Sequence, residues 1–182
     1  MIIDMTTFIT KERLSRYLNV MVELETIAVP DEKDAWLRII TKQECTQGER
    51  YSISNGCGDG MLIWILPEGA FIKGFDHENE LNQFASDEWD EEFFEYTYKD
   101  VPEVFIKLLE DDEKDETTFC MWCCDDTDMW NQNEMADNDG GKEYLLGYIM
   151  QSAQQWYEWA VDYHETDIDF AVVEEAYKKH GV

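Results

Sequence analysis

Apolar positions recur along the chain at two spacings, and the spacing predicts the elements. Leu14, Leu18, Met21, Leu24 and Ala28 repeat every three or four residues, which makes one face of a helix from Thr10 to Ala28. Thr10 is placed to cap it, Glu12 lies in the first turn where the dipole favours an anion, and Pro30 ends it. Asp31 can cap a second, shorter helix carrying Trp36, Ile39 and Ile40 on one side, although Ala35 to Thr41 also reads as a strand.

The period then changes to two. Tyr51 and Ile53 alternate with Ser52 and Ser54, and Asn55-Gly56-Cys57-Gly58-Asp59-Gly60 makes a turn. Met61 to Leu66 is apolar on both parities, which predicts a strand covered on both faces. Pro67-Glu68-Gly69 turns again, and Ala70 to Phe75 returns. Asp100-Val101-Pro102-Glu103 has the spacing of a capping box with proline in the first turn, predicting a helix from Val101 to Leu109. Thr117 to Cys124 reads as another central strand, and the acidic, amide-rich residues 125–141 as a loop. Leu145, Ile149, Ala153, Trp156, Ala160 and Tyr163 form a stripe that predicts one helix from Lys142 to His164; Phe170, Val173, Ala176 and Tyr177 mark a last helix ending near Lys179. Helices at both ends around strands in the middle predict a single α+β domain over residues 1–182, with a central antiparallel or mixed sheet.

Charge sharpens this picture. The 182 residues hold 42 Asp+Glu against 14 Lys+Arg, a formal net charge of -28, yet 44% are hydrophobic and 14% aromatic, a globular composition. The charge is uneven: residues 76–139 hold 23 acids and 3 bases, whereas residues 1–75 hold 11 acids and 8 bases. Such a field argues against reading nucleic-acid phosphates or an anionic membrane, and favours basic partners, cations or simple solubility. The longest apolar run, Met61 to Leu66, is too short to span a bilayer, and Met1 to Thr6 has no basic leader pattern, which together predict a cytoplasmic protein. Cys45, Cys57, Cys120, Cys123 and Cys124 are odd in number and read as thiols instead of a disulfide framework.

Several clusters invite chemistry. Gly56-x-Gly58-x-Gly60 resembles a phosphate loop but lies between two strands beside Asp59, so it reads as a hairpin turn. Cys120-x-x-Cys123-Cys124 lacks a second ligand pair for zinc and reads as a strand with Cys120 and Cys124 on one face and Cys123 on the other. Asp125-Asp126-x-Asp128 and Asp137-x-Asp139-Gly140 are oxygen-rich but miss the spacing of a calcium loop, and read as a solvated acidic loop ahead of the alternative, a weak cation site. Gly74-Phe75-Asp76-His77-Glu78-x-Glu80 closes a strand, where side chains converge. There His77 is either a general base or metal ligand with Asp76 or Glu78, or a structural histidine bonded to a carboxylate or carbonyl. Trp89 and Trp130 stand in acidic runs, as partner anchors or as inner faces of amphipathic segments.

Taken together, Gly74-Phe75-Asp76-His77-Glu78, the proline-started helix, Thr117-Thr118-Phe119-Cys120-x-Trp122 and Trp159-Ala160-x-x-Tyr163 resemble a family of small uncharacterised bacterial proteins. The resemblance covers residues 51–177 and implies no particular activity. Size and acidity are similar to those of immunity proteins of bacterial toxin systems. The leading expectation is a non-enzymatic module that binds a basic partner such as a nuclease toxin through Asp76, His77, Glu78, Glu80, Trp89, Asp125, Asp126, Asp128 and Trp130, with no metal or cofactor. The alternative is a metal-assisted hydrolase using Asp76, His77 and Glu78.

Overall fold

The computed structural model describes residues 9–124, 129–133 and 137–182. Its centre is one six-stranded antiparallel sheet in simple order: β1 (Ile40–Cys45), β2 (Gly48–Ser54), β3 (Gly60–Leu66), β4 (Gly69–Phe75), β5 (Phe119–Cys124) and β6 (Trp130–Gln132). Helix α1 (Lys11–Ala28) precedes it; α2 (Glu91–Thr97), α3 (Glu103–Ile106) and α4 (Asp111–Asp115) fill the β4–β5 connection; α5 (Lys142–Leu146), α6 (Ala153–Tyr163) and α7 (Phe170–His180) follow. The fold is α+β, with an antiparallel sheet.

Alternation sorts side chains to the two faces. Tyr51, Ile63, Ile72 and Met121 stand in one cross-strand row, packed beneath Leu14, Leu18 and Met21 of α1, Trp156 of α6 and Val173 of α7. The opposite row is Arg50, Trp64, Phe71 and Trp122, covered by Val101, Phe105 and Leu109. The expectation that β3 is covered on both faces holds, because Met61 and Ile63 belong to the first core and Trp64 and Leu66 to the second. Cys123 and Cys120 divide between the cores in the same way.

Thr10 caps α1 through a hydrogen bond from the Arg13 backbone N–H. Elsewhere the local signals were incomplete. Asp31 caps only a 3₁₀ helix, Glu32–Leu37, and its Trp36 is 78% exposed; Ile40 already begins β1, an edge strand whose polar residues hide its period. The capping box at Asp100 does not form. Asp100 has φ 62° in the left-handed region and α3 starts without a side-chain cap, whereas Glu110 and Glu113 make that reciprocal arrangement at α4. The Lys142–His164 helix is two helices, because Ser152 leaves helical geometry (φ -150°) to cap α6 anew. Both halves still pack on one core, so the stripe survives the break. The 125–141 loop also contains β6, a strand of only three residues, too short to show alternation.

Among the described residues, no helix is long and apolar enough to cross a membrane.

Candidate functional site

The β3–β4 hairpin pairs Gly60 with Phe75, so Asp59 and Asp76-His77, just beyond the pair, emerge side by side at one end of the sheet. His77 Nδ1 lies 2.6 Å from Asp59 Oδ1, and that oxygen also accepts the His77 backbone N–H at 2.9 Å. Asp59 is 7% exposed, and its Oδ2 accepts from the Asn55 amide at 2.7 Å and from the Tyr144 hydroxyl at 3.4 Å. Burial pushes the Asp59 carboxyl up, but the hydrogen bonds from His77 and Asn55 outweigh it and hold the group below its ordinary range. The same contact to Asp59 raises the affinity of the solvent-facing His77 for its proton.

Backbone packing fixes these side chains. A Cβ on Gly58 (φ +106°) would come within 3.3 Å of the His77 ring, and one on Gly141 (φ +81°) within 2.4 Å of Asp76 Oδ2. Only glycine takes both these backbone conformations and these approaches readily. Asp76 is held in addition by its own N–H to Thr118 Oγ1 and by the Glu78 N–H to its Oδ1, while Asn82 donates to the His77 carbonyl. One donor atom each from Asp59, Asp76 and His77 falls within a 4.8 Å span. A cavity of about 430 Å³ opens beside Asp59 and Asp76, lined also by Glu78, Asn79, Glu80, Asn138 and Tyr144.

A second feature starts from the same strand end. The rings of Phe75 and Phe84 meet edge to face at 6.2 Å, Phe84 and Trp89 at 5.6 Å, Trp89 stacks on Phe94 at 5.0 Å, and Phe94 meets Phe93 at 5.1 Å. This ladder is rooted in Phe93, which is buried, and rises to Trp89 at 44% and Phe84 at 59% exposure. Asp87, Glu88, Asp90, Glu91 and Glu92 surround Trp89, all exposed.

The acidic segment is pinned to the sheet by two cations, the buried Lys73 and the half-buried Arg50. The Lys73 ammonium donates to the carbonyls of Glu113 and Glu116, and Arg50 pairs with the Glu113 carboxylate. Burial pushes Lys73 down to about 8 against the pull of Glu116 and Glu113.

The sequence-predicted residues therefore divide. Asp76, His77, Glu78 and Glu80 come together, and Trp89 presents an exposed ring nearby in the chain. Trp130 does not belong with them: it is 7% exposed, sits in the first core, and donates its indole N–H to the Ile9 carbonyl at 2.9 Å, so it cannot present a free ring to a partner. Asp125, Asp126 and Asp128 lie outside the described residues. Sequence reasoning missed Asp59, Asn55 and Tyr144. Asp59 was legible in principle, since the tight Pro67–Gly69 turn fixes a register that sets residue 59 opposite 76.

Comparison with family models, with curated proteins and with solved structures returned no match to this chain.

Proposed function

We propose that this chain is a non-enzymatic binding module for a basic protein, an inhibitor or immunity protein whose partner resembles a nuclease toxin in charge. The observation that carries the reading is the exposed Phe84–Trp89 ring pair inside a field of carboxylates. Rings give a desolvated anchor of high energy density, and the surrounding charges select and steer a cationic partner. Scattered exposed apolar residues are ordinary on any surface, but a ladder of rings propped outward from a buried phenylalanine is a built projection. A nuclease must bind phosphates with clustered Lys and Arg, and a surface of this sign covers such a cleft well. A second reading, a metal-assisted hydrolase built on Asp76, His77 and Glu78, draws on the histidine held by Asp59 beside the cavity that Asp59 and Asp76 line, and it predicts turnover, which the binding reading does not.

The test is photo-crosslinking in the native cell from a photo-reactive phenylalanine analogue at position 84, with the same probe at Val172 of α7 as comparison. Val172 is 44% exposed on the helices of the other sheet face. Capture of one basic protein from position 84 and not from 172 supports the proposal. Capture of an acidic protein, of the same protein equally from 172, or of none overturns it.

A further inference from the structure

We infer that Asp59, Asp76 and His77 form a binding site for one divalent transition-metal ion at the end of the β3–β4 hairpin. The inference rests on neither functional reading above. The donor set is mixed: an imidazole nitrogen and two carboxylate oxygens, which suits zinc or manganese better than an all-oxygen cluster, the preference of calcium. The three donor atoms span at most 4.8 Å, and the 2.6 Å contact between His77 Nδ1 and Asp59 Oδ1 has to open by only several tenths of an ångström to admit an ion with bonds of about 2.0–2.2 Å.

Three further observations separate this cluster from an ordinary acidic surface. One ligand, Asp59, is 7% exposed, so a negative group is held largely out of water facing its neighbours. The outer partners are those that orient metal ligands: Asn55 donates to the second oxygen of Asp59, the Glu78 N–H donates to Asp76, and Asn82 tethers the His77 backbone. Gly58 and Gly141 press the backbone against His77 and Asp76 where any Cβ would collide with or crowd the ligand, which restricts both side chains before an ion arrives. Three protein donors leave a coordination position for water or a ligand, and the neighbouring 430 Å³ cavity, lined by Asp59 and Asp76, carries Glu78 and Glu80, which add negative potential.

The experiment is calorimetric titration of the full chain, stripped with chelator, using zinc chloride and separately calcium chloride at physiological ionic strength. Parent, His77→Gln, Asp76→Asn and Cys57→Ser proteins are compared. His77→Gln retains an amide able to donate to Asp59, and thermal melting in chelator verifies that each variant folds. The expected result is one zinc ion per chain, at least tenfold weaker in His77→Gln and in Asp76→Asn, unchanged in Cys57→Ser, with calcium at least tenfold weaker than zinc. If Asp76→Asn fails to fold, His77→Gln alone decides, read both by calorimetry and by loss of the zinc-dependent rise in melting temperature. Absence of zinc binding, zinc binding indifferent to His77→Gln, or loss of the site in Cys57→Ser would overturn the inference, the second assigning the heat to diffuse surface charge and the third to the exposed thiol.

Discussion

On one face of the sheet, α1, α6 and α7 lay long amphipathic helices over Tyr51, Ile63, Ile72 and Met121; on the other, Trp64, Phe71 and Trp122 are covered by a stretch of short helical turns between Glu91 and Asp115. The same strands supply both faces, so the difference lies in the covers. The first cover closes on itself, down to Glu25, which is fully buried between His164 and the Ile39 N–H. The second contributes Val101, Phe105 and Leu109 to its core and turns most of its carboxylates outward. Polar pins from the sheet, Lys73 and Arg50 among them, do much of its holding. A cover that exposes so many carboxylates buries little apolar surface of its own, which predicts a lower local stability than that of the first cover.

The comparison can be broken or sharpened by substitution, and the largest effect belongs to the closed face. Glu25→Ala leaves His164, whose side chain is 4% exposed, and the Ile39 N–H without their partner. It should destabilise the protein by about 3–5 kcal/mol in denaturant unfolding. Phe105, fully buried and stacked on Phe71 at 5.6 Å, is the keystone of the other cover. Phe105→Ala should lower stability by about 3 kcal/mol, the low end for such a truncation because a thin cover can settle. Hydrogen exchange should then quicken in residues 91–116 more than in α1; equal quickening in both would erase the distinction between the faces.

A smaller effect is a dependence on pH. Lys73 titrates near 8 in the fold against 10.5 when unfolded. Between those values the unfolded chain binds more protons, so stability rises as pH increases from about 8 towards 10, by at most about 1.4 kcal/mol per pH unit. Below about pH 8 both states are protonated and this contribution to the slope vanishes. Lys73→Met should flatten the rise; a parent whose stability is level from pH 8 to 9.5 would contradict the assignment. Least of all for stability is Trp89→Ala, which removes an exposed ring stacked on Phe94 at 5.0 Å. It should cost about 1 kcal/mol of folding free energy, while shortening the lifetime of a partner complex by an amount equivalent to about 2 kcal/mol.

Legibility followed the same division. The long helices α1 and α7 were readable because apolar residues keep one period over several turns, and the strands β2 to β5 because Tyr51 and Ile53 alternate with serines in β2 and the central strands are apolar runs bounded by turns or loops. The acidic cover was not: α2 and α4 are seven and five residues long, too short for an apolar stripe to repeat, and α4 has no apolar residue at all. Edge strands β1 and β6 failed for a related reason, since only one residue of each is buried. At the site, the sequence grouped Asp76, His77, Glu78 and Glu80 because they are adjacent. It missed Asp59, which only the register of the β3–β4 hairpin brings opposite Asp76, and Tyr144, which arrives from a helix far along the chain and which no local pattern encodes. Trp130 misled because an acidic neighbourhood in sequence does not imply exposure; its ring turns inward from a strand whose flanks are polar.

The proposal that the acidic cover is a docking surface is tested most directly by the association rate of the basic protein captured through position 84, measured by stopped flow at low and at physiological ionic strength. Raising the salt shrinks the screening length to about 8 Å. The account predicts that the association rate constant falls at least tenfold across that change, because carboxylates around Trp89 steer the encounter. An association rate indifferent to salt would contradict it.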